Sequence, residues 1–172
     1  PLPEPEITTN APYCFQNPIN FTVTGGDTYL WSGPKGFTST SATPSIPAPY
    51  VSNSGVYSVT ATSLAGCSDS SNTNVVVNYF PSVTTNGSTG ICEGNTFNLS
   101  ATGGTSYSWN GPNDFTSSSQ NPIIPNVTIN DAGRYYVDVT ANGCTTTGYY
   151  KDISAYQDIL PQAKIISIPD IQ

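Results

Sequence analysis

Hydrophobic and polar residues alternate along short stretches of the chain, which is the pattern of β-strands with one buried face. Residues 97–101 and 134–140 both follow it, and each is followed one residue later by turn residues, Gly103-Gly104 and Asn142-Gly143. Asn-Gly between two alternating stretches is a strong hairpin signal. Because runs of helix-forming residues are absent, the pattern predicts an all-β protein of short strands joined by Gly, Pro and Asn turns.

The sequence also repeats itself at a shift of 78 residues. The second copy lacks one residue before its last cysteine, so that cysteine matches at a shift of 77. We therefore predict two modules, residues 1–79 and residues 80–158. The main matched pairs are Cys14 and Cys92, Trp31 and Trp109, Tyr57 and Tyr135, and Cys67 and Cys144.

The end of the chain resembles the start of a further copy. Pro161 has the same local context as Pro3 and Pro81. We therefore expect residues 159–172 to be a linker, the first strand of a further module, or a strand donated to a neighbouring subunit. The natural protein is then expected to be a longer array.

About seven short strands in a module of this size suit a two-layer sandwich. Asp131-Ala-Gly-Arg-Tyr135 resembles the immunoglobulin pattern Asp-x-Gly-x-Tyr that leads into strand F, and Asn53-Ser-Gly-Val-Tyr57 occupies the same place in the first copy. The resemblance implies tandem immunoglobulin-like sandwiches. It also implies that four residues are structural: Tyr57 and Tyr135 at a tyrosine corner, and Trp31 and Trp109 in the core.

The cysteines depart from the immunoglobulin pattern, since Val59 and Val137 stand where its second cysteine is expected. Here one cysteine of each copy precedes strand B and the other follows strand F. That arrangement, with Ala-Thr-Gly-Gly-x-Ser-Tyr-x-Trp at residues 101–109, is similar to immunoglobulin-like repeats of Bacteroidetes-type secreted and cell-surface adhesins. The resemblance covers residues 1–158.

Four cysteines without any histidine indicate disulfides in an oxidising, extracellular setting. The repetition favours one bridge per module, Cys14–Cys67 and Cys92–Cys144. The geometry of a sandwich argues against it, because the turn before strand B and the turn after strand F lie at opposite ends, and bridged Cα atoms must come within about 7 Å. The alternative is Cys14–Cys144 between modules, with Cys67 and Cys92 pairing to outside neighbours.

Charge and composition narrow the function classes. Four basic residues against eleven acidic ones give a net charge of −7, which is unsuited to binding nucleic acid. No apolar stretch reaches the roughly 18 residues of a membrane span. Without histidine, Cys-x-x-Cys or an acidic calcium loop, we expect no catalytic residues, no metal site and no cofactor, with Ca²⁺ at the module junction as the alternative.

The sequence thus favours a non-catalytic structural or adhesive module of an extracellular array, such as an adhesin stalk or a filament subunit. Its expected partners are neighbouring modules or subunits of the same protein. The alternative is a carbohydrate-binding accessory module of a secreted enzyme, and a receptor ectodomain is a third hypothesis. Phe37 and Phe115 are interpreted as loop anchors, and ligand-binding residues remain unassigned. The candidates for stacking on surface glycans are Tyr13, Tyr29, Tyr50, Tyr107, Tyr149 and Tyr150.

Overall fold

The computed structural model describes residues 2–157, and the expectations for residues 159–172 lie outside that range. The strands of the first copy are β1 (Glu6–Thr9), β2 (Tyr13–Cys14), β3 (Ile19–Thr24), β4 (Thr28–Gly33), β5 (Phe37–Ser39), β6 (Ser45–Ile46), β7 (Gly55–Thr62), β8 (Ser68–Val75) and β9 (Val77–Asn78). Those of the second copy are β10 (Thr84–Asn86), β11 (Gly90–Cys92), β12 (Phe97–Asn98), β13 (Ser100–Thr102), β14 (Ser106–Gly111), β15 (Phe115–Ser117), β16 (Ile123–Ile124), β17 (Gly133–Ala141) and β18 (Cys144–Tyr156).

The helical elements of residues 2–157 are three short 3₁₀ turns, at Pro34–Gly36, Val51–Asn53 and Ile129–Asp131. No helix in this part of the chain is long and apolar enough to cross a membrane. The all-β prediction is therefore confirmed.

Each copy has two β-layers with the same strand arrangement. In the first copy, one layer has the order β5-β4-β7-β8 and the other β1-β3-β6, with all these neighbours antiparallel. β9 continues the line of β8 and pairs in parallel with β2. In the second copy, the larger layer has the order β11-β18-β17-β14-β15, in which β11 runs parallel to β18. The facing strands pair as β10-β13 and β12-β16.

The buried residues form two separate clusters, one in each copy. Alternate residues of β7 and β17 point inward, and the largest buried side chains are Trp31 and Tyr57 in one cluster and Trp109 and Tyr135 in the other. No polar or charged residue is buried among residues 2–157. The hydrophobic effect thus supplies each copy with its own core.

The polar ends of these aromatic residues are paired in the same way in both copies. The Tyr57 hydroxyl donates to the Asn53 carbonyl and the Tyr135 hydroxyl to the Asp131 carbonyl, each at 2.8 Å. The indole N–H groups of Trp31 and Trp109 donate to backbone carbonyls ten residues further on, both at 3.0 Å. A buried Tyr or Trp needs such a partner, because an unpaired polar group costs free energy away from water.

The Gly-Pro-x-x-Phe motif surrounds the corner tyrosine. A Cβ atom on Gly33 would overlap the ring of Tyr57, and Phe37 packs edge-on against the same ring with centroids 5.3 Å apart. Phe115 has the same relation to Tyr135, at 5.3 Å. The phenylalanines thus hold the loop after β4 or β14 against the corner.

Candidate functional site: the bridged junction between the copies

A disulfide joins the two copies. Cys14, in β2 of the first copy, is bonded to Cys144, the first residue of β18 in the second copy, with the Cα atoms 5.7 Å apart. The two residues are 130 positions apart in sequence. Two covalent connections therefore cross the junction, the peptide linker after β9 and this disulfide bridge.

The pairing of one bridge per copy, Cys14–Cys67 and Cys92–Cys144, is wrong. In the second copy Cys92 pairs in register with Tyr156, the last residue of the strand that Cys144 begins. Thirteen residues of strand at about 3.3 Å each keep those two cysteines roughly 40 Å apart.

The first copy shows the same separation. Cys14 lies beside Asn78 in β9, whereas Cys67 precedes β8 at its other end. The eight residues of β8 hold these cysteines far beyond disulfide distance. A sandwich cannot bring its two ends together, so only cysteines of different copies can meet.

Close packing around the bridge fixes how the hairpin of the second copy meets the first. Gly143 lies against Pro12, since a Cβ atom on this glycine would come 2.6 Å from the proline ring. The Cys144 sulfur lies 3.9 Å from the Tyr13 carbonyl oxygen and 4.0 Å from that of Asn78. Cys14 and Cys144 are 4% and 0% exposed. The bridge is thus enclosed by both copies rather than hanging at the surface.

The linker between the copies is tied to its surroundings. The Thr146 hydroxyl donates to the Pro81 carbonyl at 2.8 Å, and the Phe15 amide donates to the Asn78 carbonyl at 2.8 Å. The ring of Phe15 contacts the rings of Tyr79 and Tyr50, with centroids 5.3 and 5.4 Å apart. These contacts add to the covalent restraint on the junction.

Sequence reasoning did not identify Pro12, Phe15 or Gly143 as junction residues. A signal was present in the repeat itself, because the second copy has Gly90 where the first has Pro12 and Glu93 where it has Phe15. Such departures mark the surface that only the first copy uses in the structure.

Cys67 and Cys92 are not bonded, and both are exposed. All four cysteines of the sequence lie within residues 2–157, so the remaining residues offer no partner for them. Their positions match those of the bridged pair, since Cys67 corresponds to Cys144 and Cys92 to Cys14.

The tyrosines considered for sugar stacking do not share one surface. Tyr13 is buried, and the hydroxyls of Tyr29 and Tyr107 donate to the carbonyls of Gly26 and Gly104, in the first and second copy respectively. Tyr50 lies in the cluster with Phe15, whereas Tyr149 and Tyr150 lie on β18.

An exposed aromatic and charged group on the larger sheet of the second copy was not foreseen. Tyr136 and Tyr150 are cross-strand neighbours with ring centroids 6.0 Å apart, but their planes are tilted by 60°. The Arg134 guanidinium lies 3.8 Å from the centre of the Tyr150 ring and bonds to Asp152 at 2.9 Å, which lowers the pKa of that carboxyl. The two rings are thus not coplanar and do not form one flat aromatic platform.

The acidic residues of the described chain are dispersed. Among residues 2–157 there is no group of three or more Cys, Asp or Glu side chains that could hold a metal ion. Asp131 is used locally, since its carboxylate accepts from the Thr128 backbone N–H and hydroxyl, both at 2.8 Å, and these bonds lower its pKa. Its carboxylate therefore fixes the turn before β17.

Comparison with known proteins supports this description of the fold. Residues 1–77 match the family model described as a PKD-like domain. The fold is similar to that in the crystal structure of murine CEACAM1b, with a TM-score of 0.52 and 13% identity over 89% of this chain and 100% of that one. It is also similar to a chain in the structure of the mouse coronavirus receptor-binding domain complexed with its murine receptor, with a TM-score of 0.57 and 11% identity over 88% and 100% of the two chains.

The chain has an all-β fold of the immunoglobulin-like sandwich type, and its residues 1–77 match the PKD-like domain model. At identities this low, the two murine structures establish the fold alone. No curated protein sequence matches the chain significantly.

Proposed function

We propose that this chain is a non-catalytic, tension-bearing segment of an extracellular array, such as an adhesin stalk or a surface filament. The observation that carries the proposal is the Cys14–Cys144 bridge across the junction. Its expected partners are neighbouring modules of the same kind. The resemblance to repeats of Bacteroidetes-type adhesins supports this role, and the enclosed disulfide suits an oxidising, extracellular setting.

The bridge determines which part of the chain would carry a pulling force. Tension applied at the two ends passes along β1 and β2 to Cys14, crosses the sulfur–sulfur bond to Cys144, and continues along β18. Residues 15–143 lie inside the closed loop and off this path. Unfolding of residues 15–143 then gives the pulled chain no extra length, because the bridge fixes the distance between Cys14 and Cys144.

The linker alone would behave differently. Without the bridge, all of the tension would pass through residues 15–143, and unfolding the two copies would release chain. A fully extended residue spans about 3.5 Å, so the 130 positions between the cysteines correspond to up to roughly 450 Å of extra length. A stalk that must keep its length benefits from the bridge for this reason.

Single-molecule pulling of the chain from its two termini tests the proposal. The oxidised protein should show no extension event from residues 15–143, whereas the same molecule in reductant should show two unfolding events that together release most of this length. The double substitution C14S/C144S should behave like the reduced protein in either condition. The double substitution C67S/C92S is the matched control and should keep the response to reductant.

The proposal fails if the oxidised chain extends as far as the reduced one. It also fails if C14S/C144S unfolds at the same extension as the oxidised chain, since the bridge would then carry no tension.

A further inference from the structure

We infer that Cys92 of one protein molecule forms a disulfide with Cys67 of a second molecule of the same protein, which joins the two chains head to tail. The inference rests on the proposed function and names its partner as the same protein. The inference is based on a structural equivalence. Cys92 and its surroundings correspond to the Cys14 side of the internal junction, and Cys67 and its surroundings correspond to the Cys144 side.

The junction pairs two different kinds of position. It joins Cys14, which lies in β2 of the first copy, to Cys144, which follows the turn between β17 and β18 of the second copy. The unbonded cysteines complete the same set, since Cys92 lies in β11, the counterpart of β2, and Cys67 follows the β7 turn. Each chain therefore has one unused cysteine of each kind, at the two ends of the pair of copies.

The local geometry around the unbonded cysteines matches that of the bridge. Cys92 is the parallel partner of Tyr156 as Cys14 is of Asn78. Cys67 follows Gly66 with a φ of 82°, and Cys144 follows Gly143 with a φ of 77°. The strand pairing beside Cys92 and the left-handed glycine before Cys67 thus match the corresponding features at the bridge.

The surfaces around these cysteines are open where their counterparts are covered. No atom lies within 4 Å of a Cβ placed on Gly66, whereas Pro12 occupies that space at Gly143. Leu64 is 92% exposed and lines the same surface depression as Leu2, which is 64% exposed. At the other end Tyr156 is 58% exposed. Docking of further molecules of the same protein would cover apolar surface at both ends of the chain.

We expect the non-covalent contact between two molecules to be weak without the Cys67–Cys92 disulfide. Phe15 of the internal junction is replaced by Glu93, whose carboxylate already accepts from the Ile129 amide at 2.8 Å, and Tyr50 is replaced by Thr128. We therefore expect the association between chains to depend on the disulfide and to be reversed by reductant. Because the contact is heterologous, it extends into a filament unless the rotation closes a ring.

The bond forms by thiol–disulfide exchange with an oxidant of the disulfide class, such as oxidised glutathione. The Cys92 thiolate attacks one glutathione sulfur and expels the other glutathione as a thiolate. The Cys67 thiolate of the second chain then attacks the Cys92 sulfur and expels the second glutathione thiolate. Two protons pass from the protein thiols to two glutathione molecules, and two electrons reduce the glutathione disulfide.

The test uses the whole chain with the Cys14–Cys144 bridge formed and complementary single substitutions. A C67S chain keeps only Cys92 unbonded, and a C92S chain keeps only Cys67 unbonded. Each is incubated alone and mixed with the other in a glutathione redox buffer, and the products are followed on non-reducing gels and by peptide mapping. The mixture should give a heterodimer that stops at two chains, and the unsubstituted protein should give a ladder.

A matched control measures undirected oxidation. It carries S118C in a chain that also has C67S and C92S, so its unbonded cysteine lies at another exposed position. Mixed with C67S, it should be linked at least about tenfold more slowly than the complementary pair, because docking raises the effective concentration of the matched thiols.

Three results would overturn the inference. The first is homodimers of C67S or C92S forming as fast as the heterodimer, and the second is an S118C control that reacts equally fast. The third is a Cys67–Cys92 bond within a single chain. Pulling of C67S/C92S reports on the Cys14–Cys144 bridge alone, so failure of the head-to-tail bond is distinguishable from failure of the proposed function.

Discussion

Gly66 and Gly143 occupy equivalent places in the hairpins that precede β8 and β18, and both have a left-handed backbone, with φ of 82° and 77°. Only Gly143 packs against another part of the chain, at Pro12 across the junction. Both hairpins therefore need glycine for its left-handed backbone, whereas the junction additionally needs the absence of a Cβ atom at position 143.

We predict that G143A is more harmful than G66A. Both substitutions impose a positive φ on an alanine, which costs about 1 kcal/mol. G143A also forces its Cβ atom against the Pro12 ring, and such overpacking adds about 1–3 kcal/mol. Urea unfolding measures the total, and equilibration with glutathione measures the loss in the Cys14–Cys144 bond. Equal effects of the two substitutions on that bond would show that the hairpin does not press on the first copy.

The elements of each copy could be predicted from the sequence because their causes are local. Alternation over residues 134–140 predicted β17, the repeat placed its counterpart β7 in the first copy, and the Asp-x-Gly-x-Tyr pattern located Tyr135 at the start of β17. The cysteine pairing could not be chosen from the sequence, since repetition favoured one bridge per module and the geometry of a sandwich favoured Cys14–Cys144. The choice depends on the length of β18, whose 13 residues separate Cys92 from Cys144, and on how the copies meet end to end.

The strand lengths also show why repetition was misleading for the bridge. Two identical modules suggest two identical bonds within them, yet the same repetition satisfies one bond between modules and leaves one cysteine of each kind at the outer ends. Residues at which the copies differ, such as Pro12 and Phe15, carry the information about the junction. A comparison that looks only for matching residues between the copies therefore misses them.

Gly33 and Gly111 should not tolerate alanine. Gly33 is extended, with a φ of −173°, so the cost at this position is steric rather than conformational. A Cβ atom at either glycine would overlap the ring of Tyr57 or Tyr135, which is fixed in the core. We expect G33A and G111A each to lower the free energy of unfolding by about 2 kcal/mol or more.

G90A is the matched control for these two substitutions, because its Cβ would contact the ring edge of Tyr156, an exposed side chain that can move aside. It should cost well under 1 kcal/mol on the scale of ordinary surface substitutions. Urea unfolding of the three variants checks the order, and a G90A as harmful as G33A would contradict the steric account.

The hydroxyl groups of the corner tyrosines should contribute measurably to stability. Y57F leaves the Asn53 carbonyl without its 2.8 Å partner, and Y135F does the same to Asp131. Each loss should cost about 1 kcal/mol. Y149F changes an exposed ring that is 43% accessible and should leave the unfolding midpoint unchanged. If Y149F cost as much as Y57F, the corner bonds would not be the cause.

Stability should fall between about pH 10 and pH 12 because of the corner tyrosines. Burial, followed by the nearby carboxylate of Asp131, raises the pKa of Tyr135 to about 12, and burial also raises the pKa of Tyr57. Unfolded tyrosine loses its proton near pH 10, so above that pH deprotonation lowers the free energy of the unfolded state while the folded tyrosine stays protonated. The stabilisation is complete below pH 10 and is lost as pH approaches the folded pKa.

Urea midpoints measured from pH 8 to pH 12 test this dependence. For Tyr135 the loss should be on the order of 2 kcal/mol across the interval, because one pKa unit corresponds to about 1.4 kcal/mol. Y135F is less stable at pH 8 but should lose less with rising pH, since phenylalanine does not ionise. D131N should weaken the slope as well, because it removes the carboxylate that opposes a charged phenolate. A slope unchanged in both variants would assign the alkaline loss to other groups.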